Sequence, residues 1–338
     1  MLNQRETETD AVDLFAGCGG FTESAEEAEI EVGWAANHNE MAVEYHAANY
    51  PRAIHVCQDL EQANFHDTPS HWLLLASPAC QGNSKASTRG GTGKRGSAPK
   101  HDADRATAWA VITCAEVHRP ELVIVENVIQ ICDWVLFAAW CQAWEALGYQ
   151  IHKVVLDAAD FGVPQNRIRV FLVMSRTPLP SLYNMIDAHR VAHVGASSFV
   201  DVEGGDGWES VWSKPSGVRA RIAKARRKIP KGPFLTQHTT GHPGRSLARP
   251  IGTITTKHQW AIVKRSRHGD VMRMLNGREH ALAQTFRPDF MIPDEVSHAV
   301  RLVGNAVPPK LGSVVIRSVL EASGRVLVPG EGWKYVAA

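Results

Sequence analysis

A chain of 338 residues is long for one small core and suits two domains. Its 44% apolar and 21% charged residues are those of an ordinary globular protein, and no apolar run approaches the roughly 20 residues of a membrane helix. A formal net charge of only +1 confines any polyanion-binding surface to a local patch.

The polar, acidic start MLNQRETETD does not read as a signal peptide. The six cysteines lie far apart, with no CxxC pair and no zinc spacing, so a reducing cytoplasm is expected rather than a disulfide framework. The 16 histidines are scattered and form no HExxH, so no metal site is expected.

In chain order, Ala11 to Phe15 predicts a strand that ends in the turn AGCGG. A helix follows over Phe21 to Ile30, with Glu23, Glu26 and Glu27 early, where they complement its dipole. Strands are predicted at Val32 to Ala36, Ala53 to Val56 and Trp72 to Ala76, with a helix at Met41 to Asn49 that Pro51 stops. A helix at Thr107 to Val117 precedes Leu122 to Val125, a fully apolar strand of the buried parallel kind. A helix at Phe137 to Leu147 ends at Gly148, and strands at Val154 to Asp157 and Val170 to Met174 flank the loop FGVPQNR. This alternation predicts a doubly wound α/β domain over residues 1–175.

The pattern then breaks. Leu179 to Pro250 shows little periodicity, and within it Lys214 to Lys231 is densely basic and contains no acid. A helix is expected over Met272 to Gln284, a loop over Phe286 to Pro293, and a last helix over Leu311 to Ala322. A small domain over residues 176–290 is therefore expected, with 291–338 returning to the first domain.

Four stretches carry chemistry. The loop DLFAGCGG offers a sharp turn and free N–H groups, yet it is neither GxGxxG nor followed by GK[ST]. That favours a ligand with a carboxylate, ribose and base, such as S-adenosylmethionine, over a bare phosphate; a plain structural turn is the alternative. Asp59, just past the third strand, is a candidate acceptor for an adenine amino group, or simply a solvated acid. Cys80 follows Pro78 and precedes a loop with Lys85, Arg89, Lys94, Arg95, Lys100 and Arg105, cations that favour a thiolate and suit a polyanion. Glu126 directly follows a buried strand, where a carboxylate is costly unless paired or catalytic. Beside Cys80 it would make a pair for covalent catalysis with an acid. Arg167 and Arg169, two apart at the start of the next strand, would point the same way.

The order DLFAGCGG, SPACQGNS, VIVENV, PQNRIRVFLV, ARPIGTITT and GNAVPP, spread over most of the chain, closely resembles the DNA cytosine-5 methyltransferases. The resemblance implies a Rossmann-like α/β sheet, helices on both faces, that binds S-adenosylmethionine, plus a smaller irregular target-recognition domain. It assigns Cys80 as nucleophile toward C6 of a flipped-out cytosine, Glu126 to N3, and Arg169 to O2, with Arg167 and Gln165 in support. Phe15, Gly17, Gly19, Gly20, Phe21 and Pro78 would line the cofactor pocket, with Asp59 at the adenine and Asn305 and Val307 closing the far side. Gln81, Ser84 and Lys85, on the loop after the cysteine, and Arg226 and Arg227 would contact double-stranded DNA. A monomer with a companion restriction endonuclease is expected.

Two departures stand out. Ala79 separates Pro78 from the cysteine, where the family has proline directly before it, and AANHNE lacks the family's ribose acid, leaving His38 in that place. The recognition region, about 70 residues, is also short for the family. Three functions compete: cytosine-5 methylation of DNA, the same chemistry on RNA or with a related one-carbon donor, and a catalytically silent DNA-binding regulator. The last should have lost Cys80 or Glu126, and both are present.

Overall fold

The computed structural model describes residues 8–79, 98–238 and 242–335, with side chains of the helix after position 98 described from Thr107 onward. The chain forms two compact units. The first comprises Met1–Asp157, Ile168–Arg190 and Ala306–Ala338, and the second Ala158–Arg167 and Val191–Asn305. The second unit thus also takes the FGVPQNR loop and extends past residue 290.

The first unit is built in chain order from β1 (Glu8–Leu14), α1 (Gly20–Glu27), β2 (Val32–Asn37), α2 (Glu40–Asn49), β3 (Ile54–Cys57), β4 (Ser70–Ala76), α3 (Ala98–His118), β5 (Leu122–Asn127), α4 (Phe137–Ala146), β6 (Gln150–Asp157), β7 (Ile168–Ser175) and α5 (Leu182–Ala188). Seven strands form one sheet in the order β3-β2-β1-β4-β5-β7-β6. The first five strands run parallel, and β7 runs antiparallel to both β5 and β6. All six residues of β5 are buried, as its unbroken apolar run requires for a strand covered on both faces.

Pleating sorts the side chains between two layers of helices. Val123, Val125, Val170 and Leu172 join a core with Val111 and Ala115 of α3 and Trp140 and Trp144 of α4. Phe171 points the other way and meets Phe21 of α1 edge-on, centroids 6.2 Å apart. Helices therefore cover both faces, as the strand–helix alternation predicts. On the α1 side the chain returns as α9 (Pro309–Ala322), where Gly312 has no room for a methyl group: a Cβ would lie 2.2 Å from Ser24 Oγ.

The second unit, expected to be irregular, carries a five-stranded antiparallel sheet of mostly short strands. They are β8 (Glu209–Ser210), β9 (Phe234–Gln237), β10 (Arg245–Ser246), β11 (Trp260–Ser266) and β12 (Gly269–Met274), in the order β10-β9-β11-β12-β8. The basic run folds as α6 (Ser216–Lys228), which packs Ile222 and Ala225 against Phe234, Ala261 and Val263. The opposite face seats Leu235, Ile262 and Trp260 on Ala196, Leu247 and Ile254.

The helix expected over Met272 to Gln284 is a correction. Met272 and Met274 pair with Val263 and Ala261 as strand, and α7 (Gly277–Ala283) begins only at the Asn276–Glu279 capping box. A further helix, α8 (Val296–Asn305), carries the start of GNAVPP. No helix among the described residues is long and apolar enough to cross a membrane.

Candidate active site

Five parallel strands release their loops at one end of the first unit's sheet. The chain order steps outward from β1 through β2 to β3, then crosses to β4 on β1's other side. That reversal between β1 and β4 is the switch point at which open α/β sheets bind ligands.

The glycine loop leaves β1 there. Phe15 (φ +59°) and Gly17 (φ +57°) both adopt left-handed backbone, which an aromatic residue rarely does outside a constrained site. A Cβ on Gly17 would meet nothing within 4 Å, so the loop is open above that peptide. Gly19 caps α1 with the Tyr50 ring where a Cβ would lie, and a Cβ on Gly20 would strike Val307 O at 2.4 Å, so these two glycines permit close packing. Phe21, expected at the cofactor, is instead 1% exposed and belongs to the core.

Beneath the loop lies a buried polar chain. Thr22 Oγ1 donates to Asp13 Oδ2 at 2.9 Å, and His46 Nε2 lies 2.9 Å from the same hydroxyl. The hydroxyl has one proton, so Nε2 is the donor when Asp13 is ionised, and Nδ1 accepts from His55 Nε2 at 2.9 Å. Burial pushes the Asp13 carboxyl up to about 7 and the His46 imidazolium down to about 3. Burial likewise pushes the Cys18 thiol of the loop up to about 12, which makes it an inert core thiol.

At the strand ends, Asn37 is buried and His38 exposed. Exposed Asp59 caps a short 3-10 turn, accepting from Glu61 N and Gln62 Nε2. Val307 is buried in the first unit, whereas Asn305 is exposed at the end of α8 in the second.

The best-defined chemistry lies where β4, β5 and β7 meet. Ala76 pairs with Val125, so the chain running on to Cys80 and the chain carrying Glu126 leave adjacent parallel strands. Pro78 is held by its carbonyl, which accepts from Asn127 Nδ2 at 3.0 Å, and Ala79 N donates to Thr107 Oγ1 at 3.1 Å. Cys80, Gln81, Ser84 and Lys85 lie outside the described residues. Glu126 sits opposite Phe171, and Arg169, two residues before Phe171, reaches back along the same face. Its Nε lies 2.8 Å from Glu126 Oε1, with the side chains 12% and 7% exposed. Glu126, Arg169 and the glycine loop thus occupy one face and one end of the sheet.

This geometry suits a carboxyl group that must be aimed at a polar ligand edge. Residues 9–321 match the family of C-5 cytosine-specific DNA methylases. The chain belongs to that family.

As a DNA cytosine-5 methyltransferase it has curated relatives of similar length. It is 28% identical to the Type II methyltransferase M.HgiDI of Herpetosiphon aurantiacus over 314 residues, 91% of this chain and 93% of that one. To the Type II methyltransferase M1.HphI of Haemophilus parahaemolyticus it is 25% identical over 340 residues, 92% and 86% of the two chains. Among solved structures, the Entamoeba histolytica methyltransferase EhMeth superposes with a TM-score of 0.67 at 14% identity, covering 93% of this chain and 98% of that one. The S. pombe Dnmt2 methyltransferase gives 0.65 at 15%, covering 93% and 99%. These two likenesses carry the fold.

Besides Phe21, the structure corrects three residue assignments in the methyltransferase. Gln165 is fully buried in the second unit, where it donates to Gln284 Oε1 at 2.9 Å and accepts from Ile254 N at 2.8 Å, so it presents nothing to DNA. Arg167 is 2% exposed and clamps Ile254 O at 2.8 Å and Gly304 O at 3.0 Å, tying ARPIGTITT to GNAVPP. It braces backbone and does not face a substrate. Arg226 forms a two-pronged pair with Asp270 (2.8 and 3.2 Å) and lies over the Phe234 ring, which leaves Arg227 as the exposed arginine of that pair. Asn127 and Thr107 were missed by sequence reasoning, because holding a distant backbone group leaves no local signal. Among the described residues no cluster of three or more His, Cys, Asp or Glu is placed to hold a metal.

Proposed function

We propose that the protein transfers the methyl group of S-adenosylmethionine to C5 of a cytosine flipped out of duplex DNA, through a covalent bond between Cys80 and C6. The observation that carries the reading is the Glu126–Arg169 pair at the mouth of β5, next to the strand that runs on to Cys80. S-adenosylmethionine fits the first unit: an open glycine loop, the N-terminus of α1, the exposed carboxylate of Asp59 and His38 supply donors and acceptors for its polar groups. When bound it supplies an electrophilic methyl group on a sulfonium.

Cys80 attacks C6 as the thiolate, and electron density moves through the ring to C5. Glu126 holds N3 and delivers a proton there, which makes C6 electrophilic. Arg169 fixes the Glu126 carboxyl and reaches O2 of the base. C5 then takes the methyl group, leaving the donor sulfur as a neutral thioether; loss of the C5 proton, expulsion of Cys80 as thiolate and return of the N3 proton to Glu126 restore the aromatic ring and release the product. Phe15, the glycine loop, Pro78 and Val307 line the cofactor side. A base inside a duplex is out of reach, so extrusion costs a few kcal/mol, offset by contacts in the cleft. Arg227 and the basic segment with Gln81, Ser84 and Lys85 hold phosphates. In this reading the enzyme works as a cytoplasmic monomer and protects DNA from a companion restriction endonuclease, a role consistent with its likeness to Type II methyltransferases.

Tritium transfer from labelled S-adenosylmethionine to duplex DNA tests the reading, with Cys80→Ala beside it. Loss of transfer in the variant, and a covalent adduct of the wild type with 5-fluorocytosine DNA by mass spectrometry, are expected. Transfer that survives the substitution refutes the covalent route.

A further inference from the structure

The second unit presents a cationic edge built from residues other than the buried Gln165 and Arg167. Two segments build it, residues 209–229 and the β11–β12 hairpin. The first holds seven Lys and Arg against one acid, Glu209, and residues 260–274 hold four against one, Asp270. Both acids are already occupied: Glu209 by Lys214 at 2.6 Å and Asp270 by Arg226 at 2.8 Å. With Lys214, five cations are thus committed inside the unit. Arg221 donates to Thr236, Lys264 to Val202 O and Glu203, and Arg273 to Glu279, besides Arg226 itself. Arg219, Lys224, Arg227, Lys228, Arg265 and Arg267 remain exposed, with no partner among the described residues. A merely solvated face mixes signs; here each acid is consumed and the excess is all positive.

Register joins these cations into one surface. Arg265 is paired with Asp270 across the hairpin and shares the pleat with Val263 and Ala261, the residues that α6 covers. Asp270 is in turn gripped by Arg226 from the last turn of α6, next to Arg227 and Lys228. The hairpin tip and the end of α6 are thereby fixed together. Against the tip stands Trp212, 72% exposed, its indole edge 3.5 Å from where a Cβ on Gly269 would lie. A large aromatic exposed against the tip of the hairpin that carries Arg265 and Arg267 matches the alternating sugar and phosphate of a nucleic-acid strand: cations take the phosphates and the ring covers a sugar.

We infer that Trp212, Arg265 and Arg267 form a DNA-backbone grip, in which the two arginines take successive phosphates and the indole packs on the deoxyribose between them. The inference rests on the proposed action on duplex DNA and adds a contact surface distinct from the active site.

The full-length protein is titrated against a labelled mixed-sequence duplex over a salt series, and turnover is followed on unmethylated PCR-amplified DNA. Arg265→Ala/Arg267→Ala should lower the log–log salt slope by about 1.8, at about 0.9 per phosphate contact. KM for DNA should rise while kcat and KM for S-adenosylmethionine stay fixed. Trp212→Ala should raise KM for DNA several-fold with the slope unchanged, and Trp212→Phe should restore it. An unchanged slope in the double variant overturns the inference and points to an acidic protein partner for the edge. A fall in kcat or in thermal midpoint at constant slope also overturns it, since that is a structural effect. Wild-type protein that grips DNA with the expected slope yet methylates none would instead overturn the proposed reaction.

Discussion

Asn127 offers a sharp test of how the first unit aims its chemistry. It is 1% exposed, and its side chain satisfies two backbone groups at once: Nδ2 donates to Pro78 O at 3.0 Å, and Oδ1 accepts from Val128 N at 2.9 Å. Asn127→Ala strands both groups in a buried place. At about 1–3 kcal/mol for each, the ceiling is about 2–6 kcal/mol, reduced by whatever water enters the gap. Asn127→Asp keeps the acceptor for Val128 but sets an oxygen against the Pro78 carbonyl, so it should be no better. The functional effect should exceed the stability effect, because Pro78 lies two residues before Cys80. A nucleophile displaced by about 1 Å loses on the order of 100-fold in rate. Urea denaturation gives the first quantity, and kcat/KM for tritium transfer at a temperature where the variant is fully folded gives the second. Ile316→Ala in α9, a fully buried site where truncation costs about 2–5 kcal/mol, is the control for stability alone. Wild-type kcat/KM in Asn127→Ala, or an equal loss in Ile316→Ala, refutes the positioning argument.

Glu126→Gln keeps the shape beside Arg169 but removes the charge and the transferable proton, so kcat should fall by roughly 100-fold or more with the dissociation constant for S-adenosylmethionine unchanged by calorimetry. Arg273 and Glu279 are 2% and 3% exposed and 2.8 Å apart, and Asp201 N and Asn276 N also donate to the Glu279 carboxylate. Arg273→Ala should cost about 3–5 kcal/mol, read as early thermal unfolding and proteolysis within residues 191–305. The polar chain under the glycine loop should give two opposite pH trends in urea midpoints. His46, depressed to about 3, contributes stability that is present above 6.5 and lost as pH falls, so the deficit of His46→Gln should shrink on acidification. Asp13, raised to about 7, contributes stability that is full below 3.8 and lost as pH rises through 7, so the deficit of Asp13→Asn should shrink toward alkaline pH. Trends of the same sign would show that the two groups do not titrate as their burial requires.

What the sequence made legible, and what it did not, divides along the range of the physics involved. The alternation of apolar runs and amphipathic segments reported the parallel strands and the helices on both faces, because burial of each run is a local property of composition. Glu126 was legible because a carboxylate at the end of a fully apolar strand is costly wherever that strand lies. Direction was not legible. β7 reads as one more apolar strand, yet it enters between β5 and β6 and runs against both. That reversal brings the start of β7, and with it Arg169, to the end of the sheet where β5 finishes. A parallel β7 would have put its first residues at the opposite end, a strand length from Glu126. Strand direction is decided by the connection and the partners, neither of which marks the residues of the strand itself. The same limit explains Gln165, Arg167 and Arg226. As sequence they are polar groups in a loop or a basic run, equally suited to DNA or to solvent. Their partners are Gln284, the carbonyls of Ile254 and Gly304, and Asp270, which lie 119, 87, 137 and 44 residues away in the chain. A polar side chain whose partner is that distant can be assigned to structure only after the chain has folded. Until then its charge invites a functional reading that burial withdraws: Arg167 is spent on backbone carbonyls, whereas Arg169, two residues on at the start of β7, meets the Glu126 carboxylate within its own sheet.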